Sequence, residues 1–207
     1  MKATLNLPEN YHPSGKFNLK SMKQLIFMNI AGLILLILSI MFFSWFINFI
    51  RPDFDALFQF EFSNLAALAI SVAKLLLTII FVMLLHEGFH AFFFWLFSKQ
   101  KPIIGFKGAY AYASMPGWYF PRNQYMLIGI APLIFISIIG IILLMILPIS
   151  SLNLVLIALI MNTSGAVGDL FVVIWLLTKP PTTYALDQID TIEFFVPNED
   201  STPKSLV

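Results

Sequence analysis

The residues best suited to chemistry lie in the run His86-Glu87-Gly88-Phe89-His90. On a helix, two histidines four residues apart lie on one face, because four residues advance about 400° at 3.6 residues per turn. Their ring nitrogens can therefore bind one zinc ion at about 2.0–2.1 Å. Glu87 lies about 100° round the helix, where its carboxylate can move a proton between water and a leaving amine. The run predicts a hydrolytic zinc site with His86 and His90 as ligands and Glu87 as the catalytic acid and base.

A catalytic zinc site also needs a third protein ligand and an open fourth position. Asp169 is the candidate, because it is the only acidic residue in the last two of the four long apolar segments. At 1.5 Å per residue, His86 and His90 lie about 18 and 12 Å before the end of the second segment. Asp169 lies about 15 Å before the end of the fourth. The three predicted ligands therefore share one depth.

The alternative interpretation is that His86 and His90 are packed core residues and that Glu87 lies beside them by chance. Chance produces such a run in roughly one sequence in a thousand of this composition, and two of the chain's three histidines belong to it. Polar groups without partners in an apolar helix would each cost several kcal/mol. The pattern favours a metal site.

Four apolar segments must position these residues. The chain has 207 residues, of which 59% are apolar and 11% charged, against about 45–50% and about 25% in soluble domains. Each segment is long enough to cross a hydrocarbon core of about 30 Å. We therefore predict an all-α integral membrane protein with four transmembrane helices in residues 25–178, an N-terminal arm in 1–24 and a polar tail in 179–207. The predicted helices cover residues 25–50, 65–97, 124–147 and 152–178.

Lysine and arginine are distributed unevenly between the two ends of these segments. Four lysines lie in the arm, and four basic residues lie between the second and third segments, whereas the other two connections contain only Arg51. Basic residues accumulate on the cytoplasmic side of membranes. The asymmetry predicts a multi-pass protein of the cell membrane with both termini and the middle loop in the cytoplasm.

The middle loop and the tail also contain strand-like patterns. Phe106, Tyr110, Tyr112 and Ser114 alternate with smaller or charged residues, which predicts a short β-type loop, in a hairpin with the stretch before it. Its edge could pair with an extended substrate, or the loop could simply fold over the cytoplasmic helix ends. In the tail, Thr191–Val196 has the composition of a strand.

Several residues near Asp169 have two possible roles. Asn162 lies seven residues before Asp169 on the same helix face, about 10 Å along the axis, and could orient a substrate or bond to a neighbouring helix. Gly165 and Gly168 are expected to allow close approach to the second helix, or to serve ordinary small-residue packing.

Pro132 and Lys74 interrupt otherwise apolar helices. Pro132 has no N–H, so we expect it to free the carbonyl of Ile128 and to kink the third helix near the depth of the metal. Lys74 lies about 18 Å and about 120° from His86, so we expect it to reach the interface or a neighbouring helix, outside the site.

Some function classes are excluded by composition. The chain has no cysteine, which excludes disulfides, a thiol nucleophile and a Cys-type zinc site. The net charge of +1 gives no basic patch for nucleic acid.

The H-E-x-x-H run and the later run Asn162-x-x-Gly165-x-x-Gly168-Asp169 carry a resemblance. With them, nearly the whole chain resembles a small bacterial family of zincin-type peptidases of unknown substrate. That family is in turn similar to the site-two protease intramembrane metalloproteases, in which an aspartate on a later span completes the zinc site within a Leu-Asp-Gly type motif. This sequence departs from that motif, because Asp169 follows Gly168 and precedes Leu170.

The resemblance implies that His86, His90 and Asp169 bind zinc and that Glu87 is the catalytic acid and base. The function predicted from residues and resemblance together is a zinc-dependent metalloprotease that hydrolyses a peptide bond of a membrane-associated polypeptide in or beside the bilayer. Two alternatives remain: a zinc transporter or other metal-binding membrane protein, and a catalytically silent membrane scaffold.

Overall fold

A computed structural model describes residues 1–18, 21–54, 63–108 and 110–198. Residues 199–207 of the predicted tail lie outside the described residues. In chain order the elements are β1 (Tyr11–Asn18), α1 (Met22–Ile50), α2 (Leu65–Ser98), β2 (Ile103–Lys107), β3 (Tyr110–Ser114), β4 (Tyr119–Pro121), α3 (Arg122–Ile146), α4 (Ile149–Gly165), α5 (Val167–Leu177), β5 (Tyr184–Asp187) and β6 (Thr191–Pro197).

The long helices agree with the apolar segments, with one correction. Helices α1, α2 and α3 are each long and apolar enough to cross a membrane, and α4 with α5 passes the same test as a pair bent by 45°. The prediction of one unbroken fourth helix is therefore wrong, because the helix breaks at Ala166. Gly165 and Gly168 flank the break, and each glycine costs a helix about 1 kcal/mol relative to alanine.

The predicted all-α class holds for the long helices, whereas the arm, the middle loop and the tail form more β-strand than the predicted β-type loop and tail strand. Strands β1, β6, β5 and β4 form a four-stranded sheet in that order, and each neighbouring pair is antiparallel. The strand predicted at Thr191–Val196 is confirmed as β6. Strand β1 was not predicted, because Pro13 and Gly15 interrupt its pattern, and the register shifts between these two residues.

The hairpin predicted in the middle loop is present, but its turn lies inside the run 106–114 whose alternation predicted a strand. Strands β2 and β3 pair antiparallel, from Ile103 opposite Ser114 to Lys107 opposite Tyr110. Gly108 lies in the turn with φ of 62°, a backbone conformation that glycine adopts at little cost. These two strands form a sheet of their own.

The chain divides into two compact units, and α1, α2 and α3 each continue from one unit into the other. The first comprises Met1–Phe27, Glu87–Ala131 and Gly168–Val207, and the second comprises Met28–His86 and Pro132–Val167. The first unit contains both sheets, and Tyr184, Leu186 and Phe195 form an apolar cluster on the larger one. The second unit contains an apolar cluster that is helical except for Phe54 and consists of Phe43, Ile47, Phe54, Leu144, Leu152, Leu156, Leu159 and Ile160.

Candidate metal centre

His90 is a buried residue of α2 with both ring nitrogens engaged. Its Nδ1 lies 2.8 Å from the carbonyl oxygen of Ile128, and its Nε2 lies 3.4 Å from Oδ1 of Asp169. A carbonyl can only accept a hydrogen bond, so Nδ1 carries the hydrogen and donates it. In the neutral ring, the lone pair of Nε2 is then directed towards the carboxylate, where a cation can bind both atoms.

The Ile128 carbonyl is available to His90 because of Pro132. In a regular helix that carbonyl would accept the N–H of residue 132, but proline has none. Helix α3 runs from Arg122 to Ile146 through Pro132, and the His90 ring bonds to the carbonyl that the proline frees. The expectation of a freed carbonyl therefore agrees with the structure, and its partner is a predicted zinc ligand.

His86 lies one turn before His90 on the same helix and is oriented by Asn162. Its Nδ1 lies 3.0 Å from Oδ1 of Asn162. Asn162 is buried, with 1% of its surface exposed, and its Nδ2 donates to the carbonyl oxygen of Pro132 at 3.4 Å. The amide oxygen therefore accepts from Nδ1 of His86, so Nε2 is the ring nitrogen that would bind a metal. Of the two roles considered for Asn162, bonding to a neighbouring helix is the one observed.

Asp169 lies in the first turn of α5, just after the helix break. The N-terminal turn of a helix has a partial positive charge, which stabilises a carboxylate there. Gly129 of α3 lies beside this turn, because a Cβ at Gly129 would be 3.0 Å from Cγ2 of Val173 and 3.9 Å from the carbonyl oxygen of Asp169. Sequence reasoning missed Gly129, although a small residue one turn before Pro132 was a usable signal.

The expectation that Gly165 and Gly168 permit close helix packing is wrong. A Cβ built on either glycine meets no described atom within 4 Å. Instead, Gly165 is the last residue of α4 and Gly168 lies in the first turn of α5, so the two glycines flank the helix break at Ala166.

The structure brings the three predicted ligands together. One candidate ligand atom from each of His86, His90 and Asp169 lies within 4.8 Å of the other two, and the described part of the chain contains no other such group of three His, Cys, Asp or Glu residues. Two imidazoles and one carboxylate, with the Nδ1 of each ring already hydrogen-bonded, form the donor set of a three-ligand zinc site with an open position. The residues fit the ion, although their binding of zinc stays a prediction.

Glu87 follows His86 on α2 and is half-buried. It is not one of the three grouped residues, which agrees with a location beside the site and not in the ligand set. Its role as acid and base stays a prediction.

A half-buried carboxylate in the first unit joins the hairpin, α3 and the larger sheet. Asp187 accepts hydrogen bonds from the Ser114 hydroxyl at 2.6 Å, the Tyr125 hydroxyl at 2.8 Å and the Ile189 N–H at 3.0 Å. Burial raises the pKa of Asp187, and these three hydrogen bonds oppose that rise. Sequence reasoning missed this network, because its members are far apart in the chain.

The fold and the site together define a helical protein with a His–His–Asp candidate metal centre on apolar helices. Residues 79–184 match the model of a protein family described as "Putative zincin peptidase". This range is just over half of the chain and contains all three grouped residues, so the chain belongs to that family. No curated protein and no solved structure matches the chain, and the similarity to site-two proteases stays a prediction.

Proposed function

We propose that this protein is a zinc-dependent metallopeptidase of the membrane. The observation that carries the proposal is the group formed by His86, His90 and Asp169, whose ligand atoms lie within 4.8 Å of one another. Membership of a zincin family supports peptidase chemistry. The apolar helices that bear the three residues support a reaction in or beside the bilayer.

The proposed roles follow from the donor set. His86, His90 and Asp169 hold the ion, which when bound would supply a Lewis acid for the scissile carbonyl and for water. The hydrogen bonds to Asn162 and Ile128 keep both rings in the tautomer that presents Nε2. A carboxylate oxygen of Glu87 takes a proton from the attacking water and delivers it to the leaving nitrogen.

The hairpin supports a polypeptide substrate. Two side-chain bonds tie β3 to the end of β5 and to the turn after it: Ser114 bonds to Asp187 of β5 at 2.6 Å, and Tyr110 bonds to Asp190 of the turn at 3.1 Å. Strand β2 pairs only with β3 among the described residues and is mostly exposed. An extended peptide can therefore add to the outer edge of β2 and be held by main-chain hydrogen bonds.

The larger sheet supports the proposed topology. Strand β1 of the N-terminal arm pairs with β6 of the tail, and β4 from the middle loop belongs to the same sheet. We infer that these three segments lie on one side of a bilayer, because a sheet with open edges is not expected within hydrocarbon. The excess of lysine and arginine in the arm and the loop makes the cytoplasm the preferred side.

Transport of zinc is the main competing function. A translocation path needs a succession of polar or ligating positions. The described residues contain one group of three ligands, so the competing function has less support.

The proposal is tested with Glu87→Gln, which removes the proton carrier and keeps its size. Purified protein is reconstituted into liposomes, and cleavage of fluorescein-labelled casein, an unfolded polypeptide, is measured together with the zinc content. We expect Glu87→Gln to retain zinc and to lose at least about a hundredfold in rate. The matched control is Glu193→Gln, which changes a half-buried carboxylate bonded to Lys16 and should leave the rate unchanged.

Two results would overturn the proposal. The first is a Glu87→Gln variant that cleaves casein at the wild-type rate. The second is zinc flux into the liposomes that His86→Ala abolishes, in a protein that cleaves nothing, since this identifies a transporter.

A further inference from the structure

The second unit contains a long apolar groove that the metal centre does not use. It has a volume of about 420 Å³ and is formed by α2, α3 and α4. Val82 and Leu159 are buried in it, whereas Leu77 and Phe81 are more than 60% exposed at its rim. Lys74 and Thr78 are the lining residues with polar side chains, and the Thr78 hydroxyl is already bonded to the carbonyl oxygen of Lys74.

The length of the groove suits an extended occupant. Its α2 wall extends from Lys74 to Leu85, which is about 17 Å at 1.5 Å per residue. A file of methylene groups can lie along this length with carbon contacts of about 4 Å to the apolar walls.

The chemistry of the lining selects the same occupant. A polypeptide backbone would bring N–H and C=O groups into a groove that offers almost no partner for them, at a cost of several kcal/mol each. A hydrocarbon chain has no polar groups to satisfy. The groove therefore suits an acyl chain.

Lys74 supplies the second recognition element at one end of the groove. It is exposed, and its ammonium has no ion-pair partner among the described residues. If one boundary of a hydrocarbon core of about 30 Å lies at Ser98, the other boundary lies about 20 residues earlier, near Thr78 and one turn from Lys74. The ammonium thus lies at headgroup level when the apolar groove lies at acyl-chain level.

We propose that this groove is a binding site for an anionic phospholipid, with one acyl chain between α2, α3 and α4 and its phosphate paired with Lys74. Gly140 is one of the residues that line the groove. A Cβ there would be 2.7 Å from Cγ of Leu159, so α3 and α4 approach each other beneath the proposed lipid more closely than a larger residue at position 140 would allow. The site does not depend on the peptidase function.

The test is native mass spectrometry of the detergent-solubilised protein with dioleoyl phosphatidylglycerol and dioleoyl phosphatidylcholine, which have identical acyl chains. We expect the phosphatidylglycerol adduct to exceed the phosphatidylcholine adduct about fivefold in wild type. Lys74→Gln should reduce that ratio to about one, and the matched control Lys23→Gln should preserve it. Ala158→Phe fills the groove and should reduce both adducts, whereas Ala69→Phe, on an exposed part of α2 outside the groove, should reduce neither.

Three results would overturn the assignment. The first is a lipid ratio near one in wild type or a ratio that Lys74→Gln leaves unchanged. The second is unchanged adducts in a monodisperse Ala158→Phe protein. The third is loss of casein cleavage in Ala158→Phe with lipid binding intact, because this identifies the groove as a polypeptide site.

Discussion

Replacement of Asn162 by leucine tests the orientation of the first motif histidine. Leucine has a similar volume but removes the Oδ1 atom that lies 3.0 Å from Nδ1 of His86. Because Asn162 is only 1% exposed, water cannot readily replace that oxygen. A buried donor without an acceptor costs about 1–3 kcal/mol, and loss of such an outer partner lowers metal affinity about 10- to 100-fold.

We therefore expect the zinc dissociation constant of Asn162→Leu to rise about 10- to 100-fold, measured by competition with a chromogenic chelator. The control is Asn162→Asp, which keeps an oxygen acceptor for Nδ1 of His86 and should bind zinc at least about ten times more tightly than the leucine variant. A leucine variant with the wild-type dissociation constant would refute the assigned role of the Asn162 amide.

Three further substitutions probe other parts of the fold. Pro132→Ala adds an N–H that competes for the Ile128 carbonyl, so zinc affinity should fall about tenfold in the same competition assay. Gly140→Ala should lower the free energy of unfolding by about 1–3 kcal/mol, since the new methyl group overlaps Leu159. Burial raises the pKa of Asp187, so the native state retains a proton to higher pH than the unfolded state. Stability should therefore fall as pH rises from about 4 through the folded pKa, and Asp187→Asn should flatten this decrease in the Tm of metal-free protein.

Each of these predictions has a contradicting result. Undiminished zinc affinity in Pro132→Ala would separate the proline from the metal centre. The control for Gly140→Ala is Gly165→Ala, whose new Cβ meets no described atom within 4 Å, and equal stability losses in the two variants would argue against overpacking. A Tm profile that keeps its slope in Asp187→Asn would assign the pH dependence to other groups.

The grouping of the three candidate ligands was predictable, because the signals that indicate it are local or rare. The spacing of His86 and His90 places both rings on one helix face whatever the rest of the chain does. Asp169 stood out because ionisable residues are costly in apolar helices. Counting residues back from the ends of the second and fourth apolar segments placed His86, His90 and Asp169 at a similar depth.

The remaining features depend on contacts between distant parts of the chain. Strand β1 pairs with β6, some 180 residues away, and no local pattern identifies that partner. The break at Ala166 was hidden by an apolar pattern that continues through it. The bonds from His90 to Ile128 and from His86 to Asn162 depend on the packing of α2 against other helices, which the sequence pattern does not specify.

The central claim is that His86, His90 and Asp169 bind one zinc ion. The most direct test is the metal content of protein purified without added chelator, with His90→Ala and Asp169→Ala beside wild type. We expect about one zinc per wild-type chain and little in either variant. Wild-type protein without zinc, or an Asp169→Ala protein with the full wild-type content, would contradict the account.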